Sequence, residues 1–419
     1  MKVLIVGGGG REHAIALAIA RSPGVEKLYC APGNAGTAAL GENVPIGATD
    51  LDKMVAFAKE QKIDFVVVAP DDPLALGMVD RLEEAGIPAF GPTAAAAAIE
   101  GSKVFAKDLM KRYHIPTAGY EVFADPRQAL DYIRAQGKYP VVIKADGLAL
   151  GKGVIIAGSE EEAREGLRSI MEDKIFGASG NRVVIEEFLT GPEVSVLAFT
   201  DGKTLVPMVS SMDHKRALDG DRGPNTGGMG TVAPNRHYTP EVAKACMETI
   251  FLPTVEAMNR EGRTFKGCLY FGLMLTPEGP KVIEYNCRFG DPETQVVLPL
   301  LESDLLGIMQ AVRDGRLSEV PVRFSDGAAA CVVLASGGYP GSYEKGKAIT
   351  GLDEDFGEDV FIYHAGTAIK DGETVTSGGR VLGVTARGKD LAQALARAYE
   401  AAGKIDFAGK QYRTDIGRK

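Results

Sequence analysis

The chain has 419 residues, of which 45% are apolar, and this length suits about three domains of ordinary size. Its formal net charge of -9 disfavours a nucleic-acid-binding protein, although an acidic chain can still bind phosphates where basic groups and backbone N–H groups are concentrated. No apolar run is long enough to cross a bilayer, so the sequence excludes a membrane-spanning helix and we expect no membrane partner.

The first hundred residues alternate between short apolar runs and helical periodicity. This alternation predicts an open parallel α/β sheet. Gly7–Gly10 lie between the first strand and the first helix, where backbone N–H groups can cradle a phosphate. The last glycine of a dinucleotide-binding motif is replaced by Glu12, which disfavours a nicotinamide cofactor. The predicted strands cover residues 2–6, 27–30, 64–69 and 87–90, and the predicted helices cover residues 11–20, 51–61, 73–85 and 94–98.

Lysines mark the next stretch. Ser102 is predicted to cap a helix whose first turn contains Lys103, where the helix dipole disfavours a cation unless a phosphate neutralises it. Lys144 lies in an apolar strand over residues 140–145, where an unpaired charge is costly. The glycine-rich loop 146–153 contains Lys152 and precedes another strand. Most such hairpins are ordinary turns, but the flanking lysines favour a flap that closes over phosphates.

A polar, glycine-rich run covers residues 210–230. Long ordered loops in compact domains are usually functional, although such a run taken alone could equally be a disordered surface loop. It contains the charged group Asp213–Arg216 and a glycine cluster, Gly227–Gly230, whose N–H groups could bind a phosphate or a carboxylate. The pattern on either side predicts strands at 182–189, 194–199 and 204–209, and a helix over 240–262 with a kink at Pro253.

The hairpin predicted at 267–276 and 279–286 ends in a group of polar residues. Glu284 and Asn286 are two residues apart on one strand, so their side chains point to the same face. A carboxylate and an amide oxygen suit Mg²⁺ or Mn²⁺, and the planar guanidinium of Arg288 suits a phosphate or carboxylate. The plainer alternative is a strand that ends in a polar turn. Cys287 should point the other way, into the core.

The last region is predicted to be largely architectural. Its pattern indicates a helix over 302–314, strands at 328–336, 360–370 and 380–387, and a helix over 390–402. The five cysteines have irregular spacing and no CxxC pair, which indicates reduced thiols in a cytoplasmic protein. We expect no signal peptide, because the first residues lead directly into a strand and a glycine loop.

The run Lys281–Gln295 (KVIEYNCRFGDPETQ) resembles the metal-binding end of ATP-grasp enzymes. Its RFGDPETQ portion, together with GGREH at residues 9–13, is similar to the glycinamide ribonucleotide synthetases. The resemblance implies a multidomain fold of the α/β and α+β classes. Its parts would be a Rossmann-like domain (1–100), an ATP-grasp domain (101–325) with a small lid (118–190), and a small C-terminal α+β domain (326–419).

The resemblance also implies a reaction. ATP would phosphorylate glycine to glycyl phosphate, phosphoribosylamine would attack it, and glycinamide ribonucleotide, ADP and phosphate would be released in the second step of purine synthesis. ATP is then a co-substrate and Mg²⁺ or Mn²⁺ a cofactor, bound by Glu284 and Asn286. Arg288 would steady the acyl phosphate and the tetrahedral state, and Asp213 would orient the amine of glycine. His13 and His214 are either proton carriers or plain polar contacts.

The remaining site residues are also carried over from the family. In it, lysines hold the ATP phosphates, a strand end reads the adenine and a glutamate holds the ribose. One departure shortens a carboxylate, because Ala69-Pro70-Asp71 stands where the family has Gly-Pro-Glu. The implied ATP-binding residues are Lys103, Lys144, Gly151, Lys152, Gly153, Glu186, Glu187, Phe188, Leu189 and Glu193. The implied substrate-binding residues are Gly9, Gly10, Arg11, Glu12, His13, Asp71, Lys215, Asn225, Thr226, Gly227, Gly228, Pro292 and Thr294.

Three other functions stay open from the sequence alone. They are a carboxylase of the same superfamily that uses bicarbonate, a nicotinamide-dependent oxidoreductase, and a nucleotide-binding sensor without turnover. The predicted partners are small molecules rather than nucleic acid, and we expect a monomer or a weak dimer.

Overall fold

The computed structural model describes residues 1–148 and 153–418. It begins with a five-stranded parallel sheet in the order β3-β2-β1-β4-β5, as the alternating pattern predicted. The predicted helix over 73–85 is two helices, because Gly77 adopts a φ of 87° between them. The elements are β1 (Lys2–Gly7), α1 (Gly10–Ala20), β2 (Lys27–Pro32), β3 (Glu42–Asn43), α2 (Leu51–Glu60), β4 (Phe65–Val68), α3 (Asp71–Ala75), α4 (Met78–Glu84), β5 (Ala89–Phe90) and α5 (Ala94–Gly101).

A small four-stranded sheet follows, in the order β6-β9-β7-β8. Its strands are antiparallel, and two helices pack on it to form a separate hydrophobic core. Ser102 caps the helix that precedes the sheet by accepting a hydrogen bond from the N–H of Phe105, as predicted. The elements are α6 (Lys103–Arg112), β6 (Tyr120–Phe123), α7 (Pro126–Gln136), β7 (Val141–Ala145), β8 (Val154–Ala157), α8 (Glu160–Leu167) and β9 (Val183–Glu187).

The central sheet has four antiparallel strands in the order β11-β10-β16-β17. The predicted helix over 240–262 is interrupted by a π-helical turn at Met247–Phe251, and Pro253 lies in the first turn of the helix that follows. A proline has no N–H for the helical ladder, which accounts for a wider turn at this point. The elements are β10 (Glu193–Thr200), β11 (Leu205–Pro207), β12 (Met212–Asp213), β13 (Arg216–Leu218), β14 (Arg222–Asn225), β15 (Gly230–Ala233), α9 (Pro240–Cys246), α10 (Leu252–Arg260), β16 (Gly267–Thr276) and β17 (Gly279–Asn286).

Residues 210–230, called the polar loop below, contain regular structure that the sequence did not indicate. Strands β13 and β14 pair as a short hairpin, and β12 pairs with β15. Strand β15 also pairs with a strand of the last region, so the chain passes into another sheet and returns. All four residues of β15 are buried, and this burial offsets the polar character of the run before it.

The last region contains the sheet β12-β15-β18-β22-β19, with a helix packed on β18 and β22. The single strand predicted over 360–370 is two strands, since the chain turns where Gly366 packs against Gly378. The predicted helix over 302–314 begins later, at Leu305, because Asp304 caps it. The elements are α11 (Thr294–Val297), α12 (Leu305–Asp314), β18 (Ala328–Ala335), β19 (Val360–His364), β20 (Thr367–Lys370), β21 (Glu373–Thr376), β22 (Arg380–Gly388) and α13 (Leu391–Lys404).

Two large hydrophobic cores connect the regions. One joins Leu4 of the first sheet to Phe271 of the central sheet, and the other joins Ile5 to Val333 of the last sheet. The five cysteines are buried and unpaired, and Cys287 belongs to the first of these cores, as predicted. Within residues 1–148 and 153–418, no helix combines the length and apolar character needed to cross a membrane.

Candidate active site

Four of the predicted site residues line a cleft between the central sheet and the polar loop. The cleft lies where β10, β16 and β17 face β12. Each of these strands contributes a polar side chain to it, so residues far apart in the chain are brought together. The polar side chains that line it are Glu193, Ser195, Asp213, Lys215, Tyr270 and Glu284.

Glu284 lies among cations. Burial would raise the pKa of its carboxyl, but Lys215, Lys144 and Lys103 oppose this effect and hold the pKa below its ordinary value. The carboxylate is therefore ionised at neutral pH. In the described part of the chain, no hydrogen bond or ion pair holds this side chain, so its oxygens are available to a ligand.

Three lysines, Lys103, Lys107 and Lys144, form the lysine cluster, and two of them, Lys103 and Lys144, act directly on Glu284. Lys144 and Lys107 each lie 3.0 Å from an oxygen of Glu186, which is therefore bound between two cations. Lys144 also donates to the carbonyl of Ile283 (3.0 Å), one residue before Glu284. The predicted contact between Glu186 and ATP stays a prediction, and its carboxylate is directed to the lysines.

Lys107 is the member of the lysine cluster that the sequence reasoning missed. It lies four residues after Lys103 on α6, a spacing that places both side chains on one helix face. Its side chain is only 3% exposed and donates to Thr117 Oγ1 (2.8 Å). Burial lowers the pKa of Lys107 to about 8, against the opposing effect of Glu186.

The start of the glycine-rich flap, residues 146–153, is attached to the N-terminus of α6. Lys103 donates to the carbonyl of Gly147 (2.7 Å), and Asp146 accepts from Ser102 Oγ (3.0 Å). The carbonyl of Gly153, at the far end of the flap, accepts from the N–H of Ala145 (2.8 Å). The predicted ATP-binding residues Gly151 and Lys152 lie outside the described residues.

The end of β9 leads to the surface beside the cleft. Glu187 accepts a hydrogen bond from the N–H of Gly119 (2.9 Å), and the ring of Phe188 is 39% exposed. Leu189 is partly buried. Glu193, at the start of the next strand, pairs with Lys215 across the cleft at 3.4 Å. The segment predicted to read adenine thus lies in an accessible position, and Glu193 is connected to the polar loop.

Asp213 faces a second buried carboxylate. Burial and the neighbouring Glu293 raise the pKa of Asp213 well above its ordinary value, and Lys215 and Arg380 offset the rise only in part. Glu293 accepts a hydrogen bond from the hydroxyl of Tyr270 (3.1 Å). A cationic group bound here would relieve the repulsion between the two carboxylates.

Gly228 is required by close packing at the same place. Its φ of 119° is in the region that favours glycine, and a Cβ there would lie 2.5 Å from Pro292 Cδ and 2.6 Å from Asp213 Oδ1. Pro292 and Thr294 are themselves buried. The backbone of the polar loop can therefore lie directly on the segment that follows β17.

Arg288 is bound by carboxylates from the first region of the chain. Its Nη2 lies 2.9 Å from Glu100 Oε1 and 3.8 Å from Asp71 Oδ2. Burial raises the pKa of Glu100, whereas at Asp71 the effect of burial is outweighed by Arg288 and Arg11, so its pKa is lowered. The Nε of Arg288 is buried without a hydrogen-bond partner among the described residues, so one donor stays available to an anion.

Asn286 lies between the same groups. With its amide oriented to satisfy both ends, the nitrogen donates to Glu100 Oε1 (3.2 Å) and the oxygen accepts from Arg288 Nη1 (3.3 Å). Glu100 also accepts from the N–H of Cys287 (2.7 Å). No sequence signal singles out Glu100, because it is one acidic residue near the end of an alanine-rich helix.

The first glycine loop lies against the segment that follows β17. Glu12 accepts from the N–H of Gly9 (2.6 Å) and pairs with Arg11 (2.6 Å), so these two side chains stabilise the helix start. A Cβ on Gly10 would lie 2.7 Å from Gln295 Nε2. Arg11 also donates to the carbonyl of Phe289 (3.1 Å). The predicted substrate residues of the two segments are therefore neighbours.

The histidines are held as neutral hydrogen-bonding groups. His13 Nδ1 accepts from the N–H of His364 (2.8 Å), and burial together with His364 lowers the pKa of His13 to about 3. His214 Nδ1 lies 3.1 Å from the carbonyl of Gly230, and its Nε2 accepts from the N–H of Gly417 (3.1 Å). Both arrangements favour polar contacts over proton carriers.

The last region supports the polar loop with two groups that the sequence did not indicate, Arg380 and Tyr339. Arg380 donates to the carbonyls of Gly227 (2.8 Å) and Asp291 (3.0 Å). The N–H of Gly227 donates to the hydroxyl of Tyr339 (3.0 Å). Within the polar loop, Thr226 donates through its N–H (2.7 Å) and its hydroxyl (2.8 Å) to the carbonyl of Lys215, while Asn225 is exposed on β14.

Comparison with known proteins covers the whole length of the chain. Three family profiles match it, each described as part of phosphoribosylglycinamide synthetase. They are the N domain over residues 1–100, the ATP-grasp (A) domain over residues 101–294 and the C domain over residues 329–419.

Individual relatives agree with these profiles. The phosphoribosylamine–glycine ligase of Caldanaerobacter subterraneus subsp. tengcongensis is 50% identical over 416 residues, which cover 99% of each chain. The crystal structure of phosphoribosylamine–glycine ligase from Thermotoga maritima has a TM-score of 0.88 at 41% identity and covers 100% of both chains. The biotin carboxylase domain of the Hydrogenobacter thermophilus 2-oxoglutarate carboxylase has a TM-score of 0.76 over 98% of this chain and 91% of that one. At 17% identity it shares the fold alone.

Proposed function

This chain belongs to the phosphoribosylglycinamide synthetase family, as its motifs predicted, and we propose that it joins glycine to phosphoribosylamine. It is an ATP-dependent ligase. The products are glycinamide ribonucleotide, ADP and phosphate, and the reaction belongs to purine synthesis. Family membership sets aside the nicotinamide-dependent oxidoreductase, which rested only on Gly7–Gly10, and also the nucleotide sensor without turnover.

The observation that carries the proposal is the grouping of Glu284 with the lysine cluster. An ionised carboxylate without a protein partner, next to buried cations, suits a nucleotide triphosphate together with a divalent ion. Both charge types are needed, since the lysines would attract phosphate oxygens and the carboxylate would attract a divalent ion.

The donors at β17 fit Mg²⁺ or Mn²⁺. Glu284 and Asn286 offer one carboxylate and one amide oxygen, which is part of a coordination shell. This suits Mg²⁺, which commonly takes one or two carboxylates and completes its shell with phosphate oxygens and water. Glu284 and Asn286 would hold the ion, and an ion bound there would neutralise developing charge on the phosphates.

In the first chemical step, an oxygen of the glycine carboxylate attacks the γ-phosphorus of ATP and ADP leaves. Lys144 and Lys103, with Lys152 of the flap, would hold the phosphates in line with glycine. The pair Asp213 and Glu293 would bind the ammonium group of glycine, whose positive charge offsets the repulsion between these carboxylates. Glycyl phosphate is the product of this step.

In the second step, the amine of phosphoribosylamine attacks the acyl carbon. The tetrahedral intermediate then expels phosphate and the amine nitrogen loses a proton. Arg288 has a free Nε–H among the described residues and would stabilise the oxygen that becomes negative. The glycine loop at Gly9 and Gly10, with Asp71, would hold the phosphoribosyl part.

Replacing Glu284 by alanine tests the proposal. We expect Glu284→Ala to reduce glycine-dependent ADP release by at least about a hundredfold, because the carboxylate that would hold the divalent ion is lost. Far-UV circular dichroism should be unchanged, since this side chain has no partner in the described part of the protein. Glu278→Ala is the matched control, because Glu278 is an exposed carboxylate that pairs with Lys281 in the same hairpin. Normal turnover of Glu284→Ala would remove the metal site from the mechanism.

The response of ADP release to bicarbonate distinguishes the proposed ligase from the carboxylase alternative. The likeness to a biotin carboxylase domain is one of fold, and RFGDPETQ is intact at residues 288–295. ADP release should require glycine and phosphoribosylamine and should not respond to bicarbonate. We further propose a cytoplasmic enzyme, since five buried unpaired cysteines suit a reducing compartment.

A further inference from the structure

A short segment of the C-terminal region, residues 413–417, lies along the polar loop. We propose that this segment, through Arg413, is a positioning element that fixes the polar loop for binding of glycine and phosphoribosylamine. The inference rests on the proposed function, because the residues it positions are those assigned to these substrates.

Arg413 is the centre of the contact. Its guanidinium is fully buried and makes a two-pronged contact with Asp415, at 2.8 and 2.9 Å. Its Nη1 donates to Asp221 Oδ1 (2.9 Å) and to the carbonyl of Arg216 (3.1 Å). Arg216 directly follows Lys215, which faces the cleft. One buried side chain thus connects the C-terminal segment with the start of β13 and with the turn of the β13–β14 hairpin.

Backbone contacts on each side extend this connection. The N–H of Gly220 donates to Asp415 Oδ2 (2.8 Å), and the N–H of Thr414 donates to Asp219 Oδ1 (2.8 Å). At the other end, the N–H of Gly417 donates to His214, the residue between Asp213 and Lys215. The hairpin is therefore held near its tip and at its base.

The segment itself is attached to the body of the protein. The hydroxyl of Tyr399 on α13 donates to the carbonyl of Arg413 (2.8 Å) and accepts from the N–H of Ile416 (3.0 Å). A Cβ on Gly230 would lie 2.7 Å from Ile416 Cδ1, so the side chain of Ile416 packs directly on the last residue of the polar loop. These contacts attach the polar loop, through the C-terminal segment, to helix α13 of the last region.

The chemistry of the contact favours positioning over simple stabilisation. A buried ion pair contributes little net stability compared with apolar side chains of similar size, because both charges lose their hydration. A guanidinium with two fixed prongs does, however, define the orientation of its partners closely. The polar loop has few apolar side chains of its own, so its geometry depends on such directional contacts.

Arg413→Met tests the proposal, because the KM values for the different substrates should respond to it differently. We expect the KM values for glycine and phosphoribosylamine to rise about ten- to a hundredfold, because displacement of a substrate-binding loop by about 1 Å has effects of this size. The KM for ATP should change less than these two values, since the lysine cluster has no contact with the C-terminal segment among the described residues and the loop reaches the predicted ribose contact only through the pair of Lys215 with Glu193. Limited trypsin digestion should cut faster after Arg216 and Arg222, which reports release of the hairpin directly.

Arg397→Met is the matched control. Arg397 also lies in the last region, pairs with Asp359 (2.9 Å) and donates to the carbonyl of Arg387 (2.8 Å), and both of these contacts lie away from the polar loop. Arg413→Lys keeps the charge without the two prongs and should restore the substrate KM values only in part. The proposal would be overturned if all three KM values changed equally, or if none of them changed.

Thr414→Ala provides the test if Arg413→Met does not fold. It removes only the bond from the threonine hydroxyl to Asp219, at an exposed position. We expect faster cleavage after Arg222 and a smaller rise in the same two KM values, and unchanged cleavage and KM values would contradict the proposal. If the unaltered protein shows no glycine-dependent ADP release, the proposed function fails, while the trypsin comparison still decides whether the segment holds the loop.

Discussion

Lys103 and Lys144, called the lysine end of the site, lie on neighbouring elements of a single region, whereas Asp213, Arg288 and Gly227, called the loop end, have partners from two other regions. The lysine end is connected by contacts between α6, β7 and β9. The loop end is held by Glu100 from the first region and by Arg380 and Arg413 from the last.

This difference bears on the part of the reaction that we propose for each end. Phosphate recognition depends on charge, which tolerates small displacements because electrostatic attraction varies smoothly with distance. Orientation of two small substrates depends on hydrogen bonds, whose strength falls steeply with angle and distance. The loop end therefore needs more support from the rest of the protein than the lysine end does.

The largest effect should come from removing a charge at the lysine end. We expect Lys144→Met to lower kcat/KM for ATP by about 10²–10³-fold, because the charged donor that we propose for the ATP phosphates is lost from a buried position. Steady-state ADP release measures this change. Lys138→Met, an exposed lysine of the same small sheet region, should behave like the unaltered protein. A loss confined to glycine binding would show that Lys144 does not belong to the lysine end.

An intermediate effect should follow when a support of the loop end is removed. Arg380→Met should raise the KM for glycine and phosphoribosylamine about tenfold, because charge-assisted hydrogen bonds to the carbonyls of Gly227 and Asp291 disappear. The KM for ATP should change little. Arg387→Met is the control on the same strand, since its guanidinium pairs with Asp359 away from the polar loop. If ATP binding weakened as much as glycine binding, the two ends would not be independent.

The lysine end was also the easier one to predict from sequence. Lys103 in a first helical turn and Lys144 in an apolar strand are each unusual in their immediate surroundings, so a local pattern reveals them. Lys107 was missed because a lysine in the middle of a helix is ordinary until its burial is known. The contact of Glu186 with these lysines could not be predicted either, because it depends on the three-dimensional positions of both lysines.

The loop end escaped prediction for a different reason. Arg380 contacts Gly227 across 153 residues of sequence, and Arg413 contacts Arg216 across 197. No local pattern encodes such contacts, and the pairing of β15 with β18 is of the same kind. The family resemblance still singled out Gly227 and Gly228, because the motif that contains them is unusual. The residues that support this motif, Arg380 and Arg413, stand in no unusual pattern.

A smaller, pH-dependent effect should distinguish Lys107 from the other lysines. Burial lowers the pKa of Lys107 in the folded protein to about 8, below the ordinary 10.5. At a pH between these two values, the side chain therefore loses its proton when the protein folds. In that range the unfolded chain binds more protons at this group, and its contribution to stability therefore rises with pH. After the same deprotonation, Lys144 is the one charged partner of Glu186 in the lysine cluster, and Glu186 competes more strongly with phosphate for it. We therefore expect the KM for ATP to rise about two- to fivefold above pH 8.

Lys107→Arg separates this effect from general alkaline inactivation. Arginine keeps its charge throughout this range, so the variant should show a KM for ATP that no longer rises with alkaline pH. The KM for glycine should have the same pH profile in both proteins, because the contacts of Lys107 lie at the lysine end. If the rise in the KM for ATP persisted in Lys107→Arg, another group would have to titrate there, and the buried pair at Glu186 would be a structural contact without influence on the phosphates.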